Sequence, residues 1–153
     1  MADAYLTALR MLARRELSER QVRERLARRE FPEEEAAAAV DRLTAQGALN
    51  DARVAGAMAR LEILTKRHGR RRAERQMQAA GLAPALIRDA LDTVLATADP
   101  AELITSALAR RLRHGQTIED DRHFQRLFRY LVGQGFSPGD ALATLKAAKR
   151  SAR

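Results

Sequence analysis

The side chains of this sequence that could bind a charged ligand are mainly arginines, and they are densest in KRHGRRRAER, from Lys66 to Arg75. Arg71 and Arg75 lie four residues apart, as do Arg67 and Arg71, so one helix face would carry an arginine stripe beside Arg72. Guanidinium groups bind phosphate oxygens and release the counterions of a nucleic acid without reading its sequence. The stretch therefore predicts contact with an anionic partner.

A second basic group follows in the last third of the chain. Three arginines cluster near the end of a predicted helix, and three more follow at helical spacing. Arginines on solvated helix faces give the same pattern, so spacing alone leaves both interpretations open. The acidic neighbours of Arg14, Arg15, Arg20, Arg28 and Arg29 favour the solvated interpretation for those five. The candidate contacts are Lys66, Arg67, Arg70, Arg71, Arg72, Arg75, Arg110, Arg111, Arg113, Arg122, Arg126 and Arg129.

Catalytic and metal-binding patterns are missing from the sequence. Its histidines, His68, His114 and His123, show no metal-ligand spacing, and the absence of cysteine excludes disulfides and thiolate sites. GQGFSPG follows a helix rather than a strand, so it predicts a helix stop and restart instead of a phosphate loop. Glu33–Glu35 fan around a helix and favour its positive end. We therefore expect a non-enzymatic protein without metal or cofactor.

The composition predicts a helical globular protein with a basic surface. Of its 153 residues 46% are hydrophobic, only 4% are aromatic, and the net charge is +8. Residues 1–47 hold nine basic and nine acidic side chains, so the excess positive charge lies beyond them. No apolar run approaches the roughly 20 residues of a membrane span, and the N-terminus lacks the basic start of a signal peptide. We expect a cytoplasmic monomer with no membrane partner.

Prolines and glycines divide the chain into helices. Each of the four prolines precedes a helical pattern, and Gly69, like four other glycines, follows one, where a left-handed residue ends the helix. Ser18 with Gln21, and Ser137 with Asp140, have the spacing of a capping box. Nine helices are predicted, over 3–15, 18–29, 32–46, 50–67, 70–80, 83–97, 100–113, 121–134 and 138–150.

An apolar triple with intervals of five and nine residues recurs three times in the chain. Such a triple would close one helix, bury the turn and pack the next helix back. The sequence predicts an all-α, elongated, curved array of three tandem three-helix modules, at residues 1–47, 48–97 and 98–153, with an irregular helical bundle as the alternative. The triples are Leu26, Phe31 and Val40; Met77, Leu82 and Leu91; and Leu131, Phe136 and Leu145.

Three segments give the chain a resemblance to a known family. They are LNDARVA from Leu49, GRRRAERQMQAAG from Gly69, and RLFRYLVGQGFSPGDALATLK in the last third. In order and spacing they resemble the bacterial RecX regulatory proteins over the whole chain. The sequence departs from that pattern at Arg70, where proline is common, at Ala73, where isoleucine is common, and at Val54, where an aromatic is frequent.

The resemblance implies a function that composition does not reveal. RecX proteins modulate RecA, the recombinase that polymerises on single-stranded DNA, by lying in the groove of the RecA–DNA filament. They inhibit its ATPase, strand-exchange and co-protease activities, and so affect recombination, DNA repair and the SOS response. Direct binding of single- or double-stranded DNA is also open. The alternatives are a basic helical protein that binds DNA alone, since Ser18–Gly47 resembles a helix-turn-helix, and a helical scaffold for another protein.

Overall fold

A computed structural model describes residues 3–152, and within that range every regular element is helical. No helix in this range is long and apolar enough to cross a bilayer. The all-α prediction is confirmed, and eight of the nine predicted helices match to within two residues at both ends. The helices are α1 Ala4–Arg14, α2 Glu19–Ala27, α3 Glu33–Ala45, α4 Asp51–Arg60, α5 Arg70–Ala79, α6 Pro84–Leu95, α7 Pro100–Arg111, α8 Asp121–Gly133 and α9 Pro138–Ser151.

The chain divides into two compact units. The first comprises the described residues up to Met58 together with Met77–Ala90, and the second comprises Ala59–Gln76 and the described residues from Leu91 onward. Helices α4, α5 and α6 each contribute residues to both units. The boundaries of the three modules therefore stay a proposal.

The core of the first unit is formed by α1, α2 and α3, which contact one another in all three combinations. Ala8, Leu17 and Leu26 are fully buried there, and Val40 is 1% exposed. Phe31, at the turn position of the apolar triple, is partly buried against this core. The small alanine side chains let the helices approach closely, which suits a core without tryptophan.

The core of the second unit is formed in the same way by α7, α8 and α9. Leu131 and Leu145 are fully buried, and Phe136 is 7% exposed at the turn between α8 and α9. The middle triple is buried as well, because Met77, Leu82 and Leu91 are at most 5% exposed. The repeated spacing therefore identified core positions in each third of the chain.

Most predicted helix ends are confirmed, but Gly69 does not have the predicted role. Ser18 and Gln21 form a reciprocal capping box at the start of α2. The glycines at 47, 81, 115 and 135 have positive φ, as expected of residues that end helices. The same expectation for Gly69 is wrong, because the left-handed residue in that segment is Arg67, at φ 60°.

Ser18→Ala is expected to lower the free energy of unfolding by about 1–2 kcal/mol. The Ser18 hydroxyl is buried, accepts from the Gln21 N–H at 3.2 Å and donates to the Ala80 carbonyl within the same unit. Ser137→Ala is the matched control, since Ser137 is an exposed N-cap that accepts one bond, from Asp140 N–H at 3.2 Å. Urea unfolding should show the larger loss for Ser18; equal losses would contradict a role for its second bond.

Candidate functional site

The basic stretch begins in a helix that does not run to Arg67 as its periodicity predicts. The α-helical part of α4 ends at Arg60 and is followed by a π-helical turn, Leu61–Thr65. The Lys66 N–H donates to the Leu61 carbonyl five residues back, at 2.9 Å. Such turns are rare and often occur at functional sites. This turn carries Glu62, which is only 1% exposed.

The buried Glu62 carboxylate is held by two groups of the basic stretch. Lys66 Nζ donates to one of its oxygens and His68 Nδ1 donates to the other, each at 2.6 Å. Burial raises the pKa of Glu62, but the bonds from Lys66 and His68 outweigh it and hold the pKa below its usual value of 4.5. Lys66 and His68 are thus bound to an internal carboxylate.

The backbone after His68 lies directly against the turn between α8 and α9. Gly69 N–H donates to the Gln134 carbonyl at 2.7 Å, and Arg71 N–H donates to the Gly135 carbonyl at 3.2 Å. A Cβ atom on Gly69 would lie 2.3 Å from the backbone of Gly135 and Phe136. Gly69 is therefore required for close approach of two backbone segments, and not for a left-handed helix end.

Two of the candidate arginines make strong contacts inside the second unit. Arg70 binds Asp92 at 2.7 Å and Glu74 at 3.0 Å, and the hydrogen bond with Asp92 is the main cause that raises its pKa. Its charge at the N-terminus of α5 is therefore compensated within the same unit. Arg110 donates to the carbonyls of Thr65 and Lys66 at 2.6 and 3.1 Å. It thereby satisfies the end of the π-helical turn.

Two further candidates make weaker internal contacts. Arg72 donates from Nη1 to the Gln134 side chain at 3.2 Å. The guanidinium of Arg111 lies 5.3 Å from the centre of the Tyr130 ring. Neither contact involves an acidic group, so both arginines keep their positive charge.

The remaining candidates form what we call the free arginine set. Arg67 is half-buried and the others are exposed, and within residues 3–152 none of their side chains makes an ion pair or hydrogen bond. The acidic residue beside them on α8, Asp121, binds Lys149 at 2.9 Å, and this bond lowers the pKa of Asp121. The set comprises Arg67, Arg71, Arg75, Arg113, Arg122, Arg126 and Arg129.

The set occupies two helix faces and adjoining loops of the second unit. Arg71 and Arg75 lie one turn apart on α5, and Arg122, Arg126 and Arg129 follow one exposed face of α8, around a shallow concavity. Neutralising these charges by an anionic ligand would break no internal ion pair of the described chain. The arrangement suits binding of phosphate or carboxylate groups without base-specific contacts.

Two of the three histidines make internal contacts in the described chain. Across residues 3–152 no group of three or more His, Asp or Glu side chains is placed to hold a metal ion. His123 is buried, and its Nδ1 accepts from the Glu119 N–H at 3.3 Å, which is a structural contact at the start of α8. His68 Nδ1 is bound to the Glu62 carboxylate.

Glu62 itself was not recognised from the sequence. A signal was available, because Glu62 and Lys66 have the four-residue spacing of a helical ion pair and His68 follows shortly after. Spacing does not reveal burial, however, and burial is what makes this carboxylate important.

Comparison with known proteins assigns the chain to a family. Residues 4–43 match a family profile described as RecX, first three-helix domain. The regulatory protein RecX of Streptomyces coelicolor is 34% identical over 150 residues, covering 95% of this chain and 77% of that protein. The regulatory protein RecX of Thermus thermophilus is 36% identical over 148 residues, covering 97% and 94%. The chain belongs to the RecX family.

Solved structures agree with membership of the RecX family. A crystal structure of regulatory protein RecX matches with a TM-score of 0.77 at 25% identity, over 94% of this chain and 70% of that one. RecX from Lactobacillus salivarius has a TM-score of 0.79 at 18% identity, over 95% and 94%, and supports the fold. This RecX-family chain therefore shares the helical fold of RecX proteins and belongs to a family of regulatory proteins.

Proposed function

We propose that this RecX-family protein is a non-enzymatic regulator that binds the RecA–single-stranded DNA filament in its helical groove. Binding inhibits the ATPase, strand-exchange and co-protease activities of RecA, and thereby modulates recombination, DNA repair and the SOS response. The observation that carries the proposal is the similarity to proteins named regulatory protein RecX along nearly the whole chain. We place the protein in the cytoplasm, as a monomer that needs no cofactor.

The arginine chemistry supports the same proposal. A filament of protein on DNA presents phosphates and acidic side chains together, and guanidinium groups bind both. The free arginine set reaches such groups without losing a partner within residues 3–152. The candidates Lys66, Arg70 and Arg110 instead position the segment, because each is already bound within the second unit.

A double charge reversal on α5 tests the proposed interface. Arg71→Glu with Arg75→Glu is expected to raise the concentration needed for half-maximal inhibition of RecA ATP hydrolysis about tenfold or more, by replacing attraction with repulsion. The assay follows ATP hydrolysis by RecA on single-stranded DNA as the protein is added. Arg60→Glu with Arg88→Glu is the control, because both arginines are exposed and make no ion pair in the described chain.

The outcomes of this assay distinguish a failure of the proposed function from a failure of the proposed interface on α5. No inhibition by the unaltered protein, even at stoichiometric amounts, would refute the proposed function itself. Inhibition that both double variants weaken equally would remove α5 from the interface and leave only a general effect of charge. Tight binding to duplex DNA with base preference and no effect on RecA would favour a protein that binds DNA alone.

A further inference from the structure

The first unit looks electrically neutral by count, but the structure distributes its charges unevenly. Residues 1–47 hold nine basic and nine acidic side chains. Several of the acidic side chains are bound to arginines on or near α2 and α4, so they do not balance the arginines of α1. The ion pairs are Glu16 with Arg53 at 2.7 Å, Glu19 with Arg23 at 3.1 Å, and Glu24 with Arg20 at 3.3 Å.

Three other arginines lie close together elsewhere in this unit. None of them has an acidic partner in the described chain. Arg10 and Arg14 lie one turn apart on α1, and Arg29 follows the end of α2; with Thr7 and Met11 they line a concavity of about 240 Å³. No acidic side chain among the described residues lines this concavity, which we call the α1–α2 concavity.

None of these three arginines makes an ion pair within residues 3–152. The Arg29 side chain donates only one bond, to the Arg25 carbonyl at 3.3 Å, and Arg10 and Arg14 have no side-chain partner there. Glu30, the next residue in the chain, has a left-handed φ of 63° and forms no ion pair with Arg29. The structure therefore contradicts the expectation that acidic neighbours balance Arg14 and Arg29.

The arrangement has the donors that a phosphate group needs. Three like charges around one concavity repel each other, and a bound anion would turn that repulsion into attraction. Arginines offer paired N–H donors that match phosphate oxygens, and the Thr7 hydroxyl can supply another donor. Met11, 8% exposed, contributes an apolar wall.

We propose that the α1–α2 concavity is a phosphate-binding site. Its ligand is a phosphodiester of a DNA strand or a phosphate of a free nucleotide, held by Arg10, Arg14 and Arg29. The site lies in the first unit, whereas the free arginine set lies in the second. It binds phosphate without RecA, so it stands or falls separately from the proposed function.

Two sets of neutralised arginines test the site. The site variant is Arg10→Gln, Arg14→Gln and Arg29→Gln, and binding of fluorescein-labelled oligo(dT) is followed by anisotropy over a range of salt concentrations. Loss of three phosphate contacts is expected to weaken binding at least tenfold and to reduce the slope of log affinity against log salt by about 2. The control carries the same charge change at three exposed arginines without an ion pair in the described chain, Arg15, Arg28 and Arg88.

A second probe, a fluorescent ATP analogue, distinguishes the sources of phosphate. Weaker oligo(dT) binding by the site variant alone supports a DNA strand, and weaker ATP-analogue binding by that variant alone supports a free nucleotide. Equal effects of the two triple variants on both probes, or no effect on either, would refute the site. Displacement of the probes by poly-glutamate as readily as by inorganic triphosphate would instead assign the concavity to an acidic protein segment.

A third variant guards against an effect on folding. The Lys triple R10K/R14K/R29K keeps all three charges and a good helix propensity, but it loses the paired N–H geometry. It should bind with an affinity between those of the unaltered protein and the Gln triple, while circular dichroism shows the same helix content. If the Lys triple bound as weakly as the Gln triple and had a reduced helix content, the loss of binding would be an effect on folding. That result would overturn the assignment.

Discussion

Gly135→Ala is expected to lower the free energy of unfolding of the second unit by about 3 kcal/mol or more. A Cβ atom there would lie 2.4 Å from the Arg72 backbone nitrogen and 2.7 Å from the Arg72 Cβ. The backbone φ of Gly135 is +96°, which residues with a side chain rarely adopt. Steric overlap and backbone strain therefore add, and urea unfolding of the variant measures their sum.

Gly69→Ala should cost a similar amount through overlap alone. Its Cβ atom would meet the backbone of Gly135 and Phe136 at 2.3 Å, and relief of that contact would stretch the 2.7 Å bond from Gly69 to Gln134. Backbone cannot move aside as a flexible side chain can, so the two segments must separate.

Two other glycines provide matched controls. A Cβ atom on Gly133 or Gly139 would meet nothing within 4 Å, and both residues lie in helices. Alanine there should leave stability unchanged or raise it by up to about 1 kcal/mol, because alanine favours the helix. If Gly135→Ala proved as stable as Gly133→Ala, the close approach of the two backbones would not exist in solution.

The same contact determines how the free arginine set is arranged. Gly69 and Gly135 hold the first turn of α5 against the end of α8, and the set has members on both helices. Separating the two segments would shift Arg71 and Arg75 relative to the arginines of α8. Under the proposed function, inhibition of RecA should therefore weaken together with stability in Gly135→Ala and in Gly69→Ala.

Local pattern was sufficient to predict the helices and their apolar faces. Helical periodicity, a cap such as Ser18 and a glycine such as Gly81 all act within a few residues, so their effect is visible in the sequence itself. The buried triples confirm this, since positions such as Leu26 and Leu145 were identified from spacing alone.

Long-range contacts explain what the sequence could not reveal. Gly69 meets Gln134 and Gly135 from far along the chain, and no local signal distinguishes that role from a helix end. The π-helical turn likewise accompanies a buried acid that His68 binds, and Arg110 from α7 donates to the carbonyl of its last residue, Thr65. A period of 3.6 residues predicts a continuing α-helix and contains no information about such insertions.

Counting charges in the sequence did not predict which arginines are paired, because pairing also depends on long-range contacts. Counting predicts the net charge of a segment, but the partner of each arginine depends on geometry. Arg70 is paired through Asp92, which lies 22 residues away, whereas Arg14 has no acidic partner among the described residues although Glu16 is close in sequence. The function of an arginine follows from such pairing, and only the three-dimensional structure supplies it.

Glu62→Gln is expected to destabilise the second unit by about 2–4 kcal/mol at neutral pH. The carboxylate is buried and accepts hydrogen bonds from the Lys66 ammonium group and from His68 Nδ1, each at 2.6 Å. Glutamine has nearly the same shape, but it is uncharged and one of its two polar atoms is itself a donor. One of the two donors would therefore lose its acceptor, and urea unfolding at neutral pH measures the loss.

The contribution of Glu62 should depend on pH in a definite direction. Its pKa is lowered in the folded protein, so the unfolded chain binds a proton there at a higher pH than the folded chain does. Its stabilising effect is fully present above the ordinary pKa of 4.5 and is lost as the pH falls through the lowered value in the folded state. The unaltered protein should lose stability over this range faster than Glu62→Gln does.

Other carboxylates titrate in the same range, so the test needs a comparison at an exposed glutamate. Glu119→Gln serves, because the Glu119 side chain is exposed and has no partner in the described part of the chain. Its free energy of unfolding should follow that of the unaltered protein from neutral pH to below the ordinary glutamate pKa of 4.5. Parallel curves for Glu62→Gln and Glu119→Gln would show that Lys66 and His68 do not hold an ionised carboxylate. A curve for Glu62→Gln that converges on that of the unaltered protein in acid would establish that they do.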